Sequence, residues 1–227
     1  MKLVSSVGVR PVLEELVPQF EKSSGAKIEI LFGTAVQQKA RVDAGESFDL
    51  VILNPPQIED LIKAGKVVAA TSKEIARTGM GFAIPASGAT PDISSDDKLR
   101  AYLRATPRLA SGNPAVGGFG SVYFDRLVER LSIAAETRPK TKHQPPGDFA
   151  KPVSKGEADV GVGLVSEIAG VPNVKSVTLT PDDPASWVRF SAGMSVAQSD
   201  AAGAKALIAY LATPAATAVF NAKGLVT

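Results

Sequence analysis

The first 25 residues combine a short apolar stretch, a loop of small residues and an amphipathic segment, and later parts of the sequence repeat this order. Residues 3–25 read LVSSVGVRPVLEELVPQFEKSSG. Pro11 suits the first turn of a helix, because its missing N–H would have no intrahelical partner there. Pro18 is predicted to kink the same helix, and Gly25 stands where a left-handed helix stop belongs. The predicted buried face of this helix consists of Leu13, Leu16, Val17 and Phe20.

The loop between this strand and helix is a candidate ligand site. Ser5, Ser6 and Gly8 supply hydroxyl and backbone N–H groups where the first strand ends. The N-terminus of a helix attracts anions, because its first N–H groups are unpaired and the helix dipole is positive there. We therefore predict that this loop binds an anion or another small ligand.

Alternating strand and helix patterns continue through the first third of the chain. Residues 27–32 (KIEILF) alternate polar and apolar side chains as a strand does, and residues 48–53 (FDLVIL) form a nearly continuous apolar run. Helical patterns follow each strand, at residues 36–44 and 57–64. This repetition predicts an α/β fold with a parallel sheet flanked by helices.

The rest of the chain shows the same two patterns less regularly. Residues 66–79 carry no clear pattern, and residues 137–146 are interpreted as a strand or a loop. Further strands are predicted at residues 80–85, 109–111, 158–165, 174–179 and 189–197. Further helices are predicted at residues 97–105, 121–131, 149–155, 200–212 and 214–223.

Composition excludes several classes of protein. A hydrophobic fraction of 44% supports a substantial core, and a formal net charge of +2 without basic runs argues against a nucleic-acid partner. The absence of cysteine removes disulfides and thiolate chemistry. No apolar run approaches the roughly 20 residues that span a membrane, and no signal peptide is visible. We therefore expect a periplasmic protein if an export signal was removed, and a cytoplasmic one otherwise.

Motifs that would carry catalysis or bind a metal are missing. The glycine-rich residues 117–120 precede a predicted helix and could cradle an anion, but no Walker sequence follows them. Residues 161–163 (GVG) lack the third glycine of a dinucleotide fingerprint. His143 is the only histidine, and no serine lies in a nucleophile elbow. Asp49 and Asp159 are expected inside strands as buried, paired structural acids. We predict no catalytic residue, no metal site and no cofactor.

The chain resembles the molybdate-binding proteins of ABC importers, within the class II solute-binding proteins. The matching segments cover most of the chain in the family's order: LEELVPQFEKSSG, ILFGTA, VDAGESFDLVIL, SGNPAVGGFG, SKGEADVGV and YLATPAATAVFNAKG. The resemblance implies two lobes, residues 1–79 with 190–227 and residues 80–189. Each lobe is expected to be a mainly parallel sheet flanked by helices. Two crossovers would join the lobes, with the ligand in the cleft between them.

The resemblance also implies a set of ligand-binding residues. The family's first and second binding loops correspond to residues 6–8 and to Thr34, and its third corresponds to the loop at Phe119. The expected ligand-binding residues are Ser5, Ser6, Gly8, Thr34, Gly118, Phe119, Gly120, Ser121, Pro146 and Leu164.

Three of these positions depart from the family pattern. The family usually has a serine where Gly8 stands, a backbone N–H donor where Pro146 stands, and often a tyrosine where Leu164 stands. Each hydrogen bond to a charged ligand contributes about 1.5–3 kcal/mol, so these losses weaken oxyanion binding unless other donors substitute. The candidate substitutes are Ser5, Ser6, Ser121 and Arg10. The departures favour a larger organic acid, for which Phe119 and Leu164 would supply apolar walls.

These observations predict a monomeric, non-enzymatic solute-binding protein. It would capture a small anion, either an oxyanion of the molybdate or tungstate kind or a small organic acid. The resemblance implies that it delivers this ligand to the membrane subunits of an ABC importer. A cytoplasmic ligand sensor or interaction module with the same fold is the alternative. An enzyme has no supporting motif.

Overall fold

A computed structural model describes residues 1–179 and 183–227 of the chain. Contacts within the chain divide it into two units. Unit 1 is Met1–Thr78 together with Val188–Thr227, and unit 2 is Gly79–Trp187. The chain therefore passes from one unit to the other twice.

Strands and helices alternate along most of the chain. The strands are β1 (Lys2–Ser6), β2 (Glu29–Gly33), β3 (Leu50–Leu53), β4 (Lys73–Pro85), β5 (Leu109–Gly112), β6 (Thr141–Gln144), β7 (Val160–Leu164), β8 (Val174–Thr178) and β9 (Trp187–Met194). The helices are α1 (Arg10–Ser24), α2 (Ala35–Asp43), α3 (Pro55–Lys63), α4 (Asp96–Ala105), α5 (Phe119–Arg130), α6 (Ala134–Thr137), α7 (Lys151–Ser154), α8 (Val165–Ile168), α9 (Ala201–Leu211) and α10 (Pro214–Ala222).

The sheet of unit 1 has the strand order β2-β1-β3-β9. β1 pairs in parallel with both β2 and β3, whereas β9 runs antiparallel to β3. The register places Ser5 beside Phe32 and Ser6 beside Gly33. An apolar core packs under this sheet with the inner faces of α2 and α3, and it includes Val4, Val42, Val51, Ile58 and Leu61.

The sheet of unit 2 contains both parallel and antiparallel pairs. β5 pairs in parallel with β6 and with β7. The part of β4 that lies in unit 2 pairs antiparallel with β7 and with β8. β5, β6 and β7 are connected through helices and are parallel, as a βαβ connection requires. The predicted α/β class, with helices flanking the sheets, is confirmed.

Helix α1 follows the predicted pattern. Its buried residues are the whole predicted apolar face, Leu13, Leu16, Val17 and Phe20, together with Val12. Pro11 lies in the first turn, Pro18 lies inside a helix that continues for six more residues, and Gly25 ends the helix at φ 74°. A positive φ costs glycine little, which explains this stop.

One predicted segment differs from the structure, and two segments that the sequence left open receive an assignment. Residues 66–79, which carried no assignment, include a 3-10 turn (Ala69–Thr71) and the first part of the 13-residue strand β4. Residues 137–146 contain a 3-10 turn (Arg138–Lys140) as well as β6. The helix predicted at residues 149–155 is only α7, because Pro152 belongs to the first turn and Gly156 takes a positive φ of 73°.

Two glycines in β7 allow a close approach of neighbouring elements. A Cβ at Gly161 would lie 2.6 Å from the carbonyl oxygen of Phe149, and a Cβ at Gly163 would overlap the Phe149 ring. On another side, a Cβ at Gly120 in α5 would come within 3.1 Å of the Cα of Gly163. The sequence GVG therefore serves close packing in unit 2, which also brings the start of α5 onto the end of β7.

Asp49 is a buried acid that joins distant parts of unit 1. It lies just before β3, 5% exposed, rather than inside the strand as predicted. Its carboxylate accepts hydrogen bonds from the backbone N–H of Lys2 (2.7 Å), from the N–H (2.6 Å) and Oγ (2.9 Å) of Ser199, and from the N–H of Asp200 (3.2 Å). Desolvation raises the pKa of Asp49, but these hydrogen bonds outweigh it and lower the pKa.

Asp159 departs further from its prediction than Asp49 does, in both its position and its exposure. It precedes β7, and its side chain is 33% exposed and forms an ion pair with Arg108 at 2.6 Å. The Arg108 guanidinium lowers the pKa of the Asp159 carboxyl. The prediction of a paired acid is confirmed, whereas the prediction that Asp159 is buried within a strand is wrong.

Among the described residues, no single helix has the length and apolar character needed to cross a membrane. Taken together, α9 and α10 are long and apolar enough by length and composition alone, but the pair is bent by 65° at the break between the two helices.

We predict that Asp49→Asn lowers the free energy of unfolding by about 1.5–3 kcal/mol at pH 7, because the amide places an NH₂ donor against backbone N–H donors. The difference in unfolding free energy between wild type and Asp49→Asn should become smaller as the pH is lowered. The folded-state pKa lies below the unfolded value, so the stabilisation by the wild-type carboxylate is complete above about pH 4 and is lost as the pH falls through the folded pKa. Urea unfolding at pH 7, 5 and 3.5 measures both effects.

Asp60→Asn is the control for this prediction, since the Asp60 side chain is 56% exposed. It should change stability by less than about 0.5 kcal/mol. A deficit for Asp49→Asn that does not depend on pH would contradict the role of its charge.

We predict that Gly163→Ala destabilises the protein by about 1–3 kcal/mol, because the added methyl group overlaps the Phe149 ring. Gly79→Ala is the matched control in a strand of unit 2, because its methyl group would meet Trp187 at an ordinary 3.6 Å. Thermal unfolding of the two variants provides the measurement. Equal losses in both would show that the close approach at Gly163 is not the cause.

Candidate functional site

Three helices of unit 1 begin at the same edge of its sheet. β1, β2 and β3 are parallel, and each runs into a helical segment at its carboxyl end. After β1 comes a 3-10 turn (Val7–Val9) and then α1, whereas α2 follows β2 and α3 follows β3. We name residues 5–10, 32–34 and 54 the unit 1 loop edge. In open α/β sheets, ligands bind outside the carboxyl ends of the strands.

The structure brings four of the predicted residues together at this edge. Ser5 is buried and its Oγ donates to the Ser6 carbonyl at 3.2 Å. Ser6 caps the 3-10 turn, because its Oγ accepts from the Gly8 N–H at 3.3 Å. Thr34 lies at the end of the neighbouring strand, just after Gly33, which pairs with Ser6. The hydroxyl groups therefore also hold the loops in shape.

Thr34 begins α2 with a capping box. Its Oγ1 accepts from the Gln37 N–H at 3.1 Å, and the Gln37 side-chain oxygen accepts from the Thr34 N–H at 3.0 Å. The Thr-x-x-Gln spacing is the sequence signal for this arrangement. Thr34 therefore has a structural role as a helix cap, in addition to its predicted role as a donor to the ligand.

Phe32 is a functional candidate that the sequence prediction did not include, and Arg10 entered that prediction only as a possible substitute donor. Arg10 is the first residue of α1, and its guanidinium carbon lies 5.0 Å from the centroid of the Phe32 ring. Phe32 lies beside Ser5 in the register of the sheet. Both side chains are partly exposed. An arginine at a helix start, where acids are favoured, is the sequence signal that could have identified this pair.

Gln38 is a further residue that supports the edge. It is fully buried, and its amide nitrogen donates to the Leu31 carbonyl at 2.6 Å and lies 3.4 Å from the Ser5 carbonyl. These contacts join α2 to the ends of β1 and β2. A Cβ at Gly33 would come within 3.2 Å of the same amide, so a glycine there leaves Gln38 its space.

Unit 2 places the remaining predicted residues at the ends of its own parallel strands. Gly118 and Phe119 follow β5, Pro146 follows β6, and Leu164 ends β7. We name residues 112–121, 145–147 and 164–165 the unit 2 loop edge. Gly117 turns the loop with a φ of 77° before α5 begins.

Side chains at the unit 2 loop edge are also used in local contacts. Ser121 Oγ donates to the Gly118 carbonyl at 2.9 Å, and the Phe119 ring stacks on Tyr123 with the centroids 6.3 Å apart. Tyr123, which the sequence prediction did not include, has its hydroxyl 3.2 Å from the Asp183 carboxylate. Leu164 is 4% exposed. Binding of a ligand by the residues of either edge, and by both edges together, stays a prediction.

The electrostatics of both edges suit an anion. The first turns of α1, α2, α3 and α5 contain no acidic residue. In contrast, α4 begins with Asp96 and Asp97. His143 is exposed on β6, and within residues 1–179 and 183–227 no group of three His, Cys, Asp or Glu side chains could hold a metal ion. The edges therefore offer backbone N–H groups, hydroxyl groups and one guanidinium.

Relatives of known name are distant but span the whole chain. An aconitate isomerase from a Pseudomonas species is 25% identical over 231 residues, covering 99% of this chain and 87% of that protein. The periplasmic molybdate-binding protein of Azotobacter vinelandii has a TM-score of 0.78 at 17% identity, covering 100% of this chain and 99% of that one. PEB3 of Campylobacter jejuni, solved with bound L-phospholactate, has a TM-score of 0.68 at 15% identity, with coverage of 100% and 99%.

These likenesses confirm the expected fold, which is that of the two-lobed molybdate-binding proteins. A family model matches nearly the whole sequence, residues 1–226. On this match, the chain belongs to the bacterial extracellular solute-binding proteins.

Proposed function

We propose that this protein captures a small anion and delivers it to the membrane subunits of an ABC importer. The observation that carries the proposal is the unit 1 loop edge, where helix starts without acids meet serine, threonine and backbone N–H groups. Helix N-termini and oriented N–H groups bind anions without a metal or a cofactor. The family to which the chain belongs supports the transport role.

A small organic acid is the ligand class that the residues favour. The named relatives differ in their small molecules, which are aconitate, molybdate and L-phospholactate. The Ser121 hydroxyl donates its proton within the loop, and Pro146 has no N–H. A tetrahedral oxyanion needs many such donors, because each contributes about 1.5–3 kcal/mol. An organic acid would gain part of its affinity from apolar contacts with Phe119 and Leu164.

The family to which the chain belongs supports the proposed cellular location and partner. The protein is proposed to act outside the cytoplasmic membrane as a monomer, with the membrane subunits of the importer as its partner. The alternative is a cytoplasmic sensor that uses the same fold. Fractionation of the native host, followed by immunoblotting of the periplasmic and cytoplasmic fractions, separates these two settings.

An isomerase is the second candidate function, and the similarity to aconitate isomerase over 99% of the chain favours it. Moving a proton between carbon atoms needs a general base within hydrogen-bond reach of that proton. The predicted ligand-binding residues include no Asp, Glu, His, Lys or Tyr. Binding without turnover is therefore the first proposal.

We expect the ligand to raise the thermal unfolding midpoint. At about 100 times its dissociation constant, a ligand that binds only the folded state adds about 2.7 kcal/mol of stability. For a chain of this size that means a rise of roughly 5–10 °C. Differential scanning fluorimetry with succinate, citrate, trans-aconitate, molybdate, tungstate, sulfate and phosphate makes the measurement. No shift with any of these compounds would remove the anion proposal.

We expect no interconversion of cis- and trans-aconitate by the purified protein. Proton NMR of each isomer, followed for hours with a large amount of protein, provides the measurement. The matched control is the same incubation with heat-denatured protein. Turnover above this control would replace the binding proposal with the isomerase.

A further inference from the structure

One buried hydroxyl group in unit 2 lacks the hydrogen bond that such groups usually form. Thr137 is fully buried at the end of α6, and its Oγ1 has no hydrogen-bond partner in the described part of the chain. Two other buried threonines differ, because Thr78 Oγ1 donates to the Gly224 carbonyl at 2.7 Å and Thr106 Oγ1 donates to the Tyr102 carbonyl at 2.9 Å. Burying a hydroxyl group without a partner is costly, so Thr137 indicates a bound molecule outside the chain.

Thr137 lines a small cavity in unit 2. Ser111 of β5, Thr141 and His143 of β6, and Ser121 in the first turn of α5 also line it. About 30 Å³ of this cavity is open to the centre of a water molecule, and one buried water needs roughly 10–15 Å³. Pockets for small organic ligands measure roughly 300–1,000 Å³. The cavity therefore has room for one or two water molecules, and the exposed His143 places it within reach of solvent.

The hydroxyl groups of the cavity suit a molecule that both accepts and donates hydrogen bonds. Thr137 Oγ1 has a proton that no bond uses. The hydroxyl groups of Ser111, Ser121 and Thr141 donate their protons to backbone carbonyls at 3.0, 2.9 and 2.8 Å. A hydroxyl oxygen that has donated its proton can still accept a hydrogen bond. A water molecule can therefore accept from Thr137 and donate to these oxygens.

The charged side chains of the cavity argue against a bound ion. Asp125 and Arg138 both line the cavity, and Arg138 Nε donates to Asp125 Oδ1 at 2.9 Å. The carboxylate would repel an anion, and the guanidinium would repel a cation. The paired charges therefore favour a neutral molecule.

We propose that this cavity binds an ordered water molecule that accepts a hydrogen bond from Thr137 Oγ1. The water donates to at least one of the hydroxyl oxygens of Ser111, Ser121 and Thr141. It thereby joins the end of α6 to the sheet or to the first turn of α5, beside the unit 2 loop edge. The inference concerns a site within unit 2 and does not depend on the proposed transport function.

Thr137→Val in the full chain tests the proposal, because valine has nearly the shape of threonine but no hydroxyl group. If water is bound to Oγ1, the substitution removes a hydrogen bond and should lower the thermal unfolding midpoint by roughly 2–4 °C. If Oγ1 has no partner, the substitution removes an unpaired buried polar group, and the midpoint should stay the same or rise. Differential scanning fluorimetry measures the midpoint.

Two matched controls use the same substitution. Thr78→Val removes a buried hydroxyl group with a known partner, the Gly224 carbonyl, so its midpoint should fall by a similar amount. Thr90→Val removes an exposed hydroxyl group and should change the midpoint by about 1 °C or less.

A high-resolution crystal structure of the wild-type chain provides an independent measurement. It should show a density peak within hydrogen-bond distance of Thr137 Oγ1, and the Thr137→Val crystal should lack that peak. Crystals soaked in sodium bromide should show no anomalous signal at this position, because a bromide there would identify an anion site. Absence of the density peak, a bromide signal in its place, or a Thr137→Val midpoint equal to or above that of wild type would each overturn the proposal.

Discussion

The parallel pairing of β1 with β2 and β3 is the constraint on which the unit 1 loop edge depends. Parallel strands need helical connections, and those connections make every strand end lead into a helix start on one side of the sheet. Ser6, Thr34 and Arg10 are separated in sequence but meet at this edge for that reason. The buried carboxylate of Asp49 supports the arrangement from the opposite ends of the strands, because it accepts N–H groups from β1 and from the segment before α9.

In unit 2, close approach of the backbone at glycine residues positions the start of a helix at the end of a strand. Gly161 and Gly163 leave no side chain between β7 and Phe149, and Gly120 lets the start of α5 come against the same strand. These glycines bring a helix N-terminus to the end of β7, whereas the sequence alone suggested only an incomplete nucleotide-binding motif. We therefore attribute these glycines to the close packing of β7 against Phe149 and α5.

Much of the candidate site was predictable, but the use of its polar groups was not. The sequence predicts the loops at Ser6, Thr34 and Phe119 from small residues between strand and helix patterns. It does not show that Ser6 and Ser121 use their hydroxyl groups within the loops, or that Arg10 lies over Phe32. The two serine contacts are local, but the residue type alone does not show whether a serine bonds to its own loop or to a ligand. The Arg10–Phe32 contact joins separate elements, and no local pattern encodes it.

The sequence by itself determined the fold class and the course of α1 to its stop at Gly25. These features depend on side-chain periodicity and on local backbone preference, which a short segment already contains. Only the tertiary structure decided the extent of β4, the partial exposure of Asp159 and the Arg10–Phe32 contact. Each of these depends on strand register and on packing between distant segments, and both are settled only when the whole unit folds.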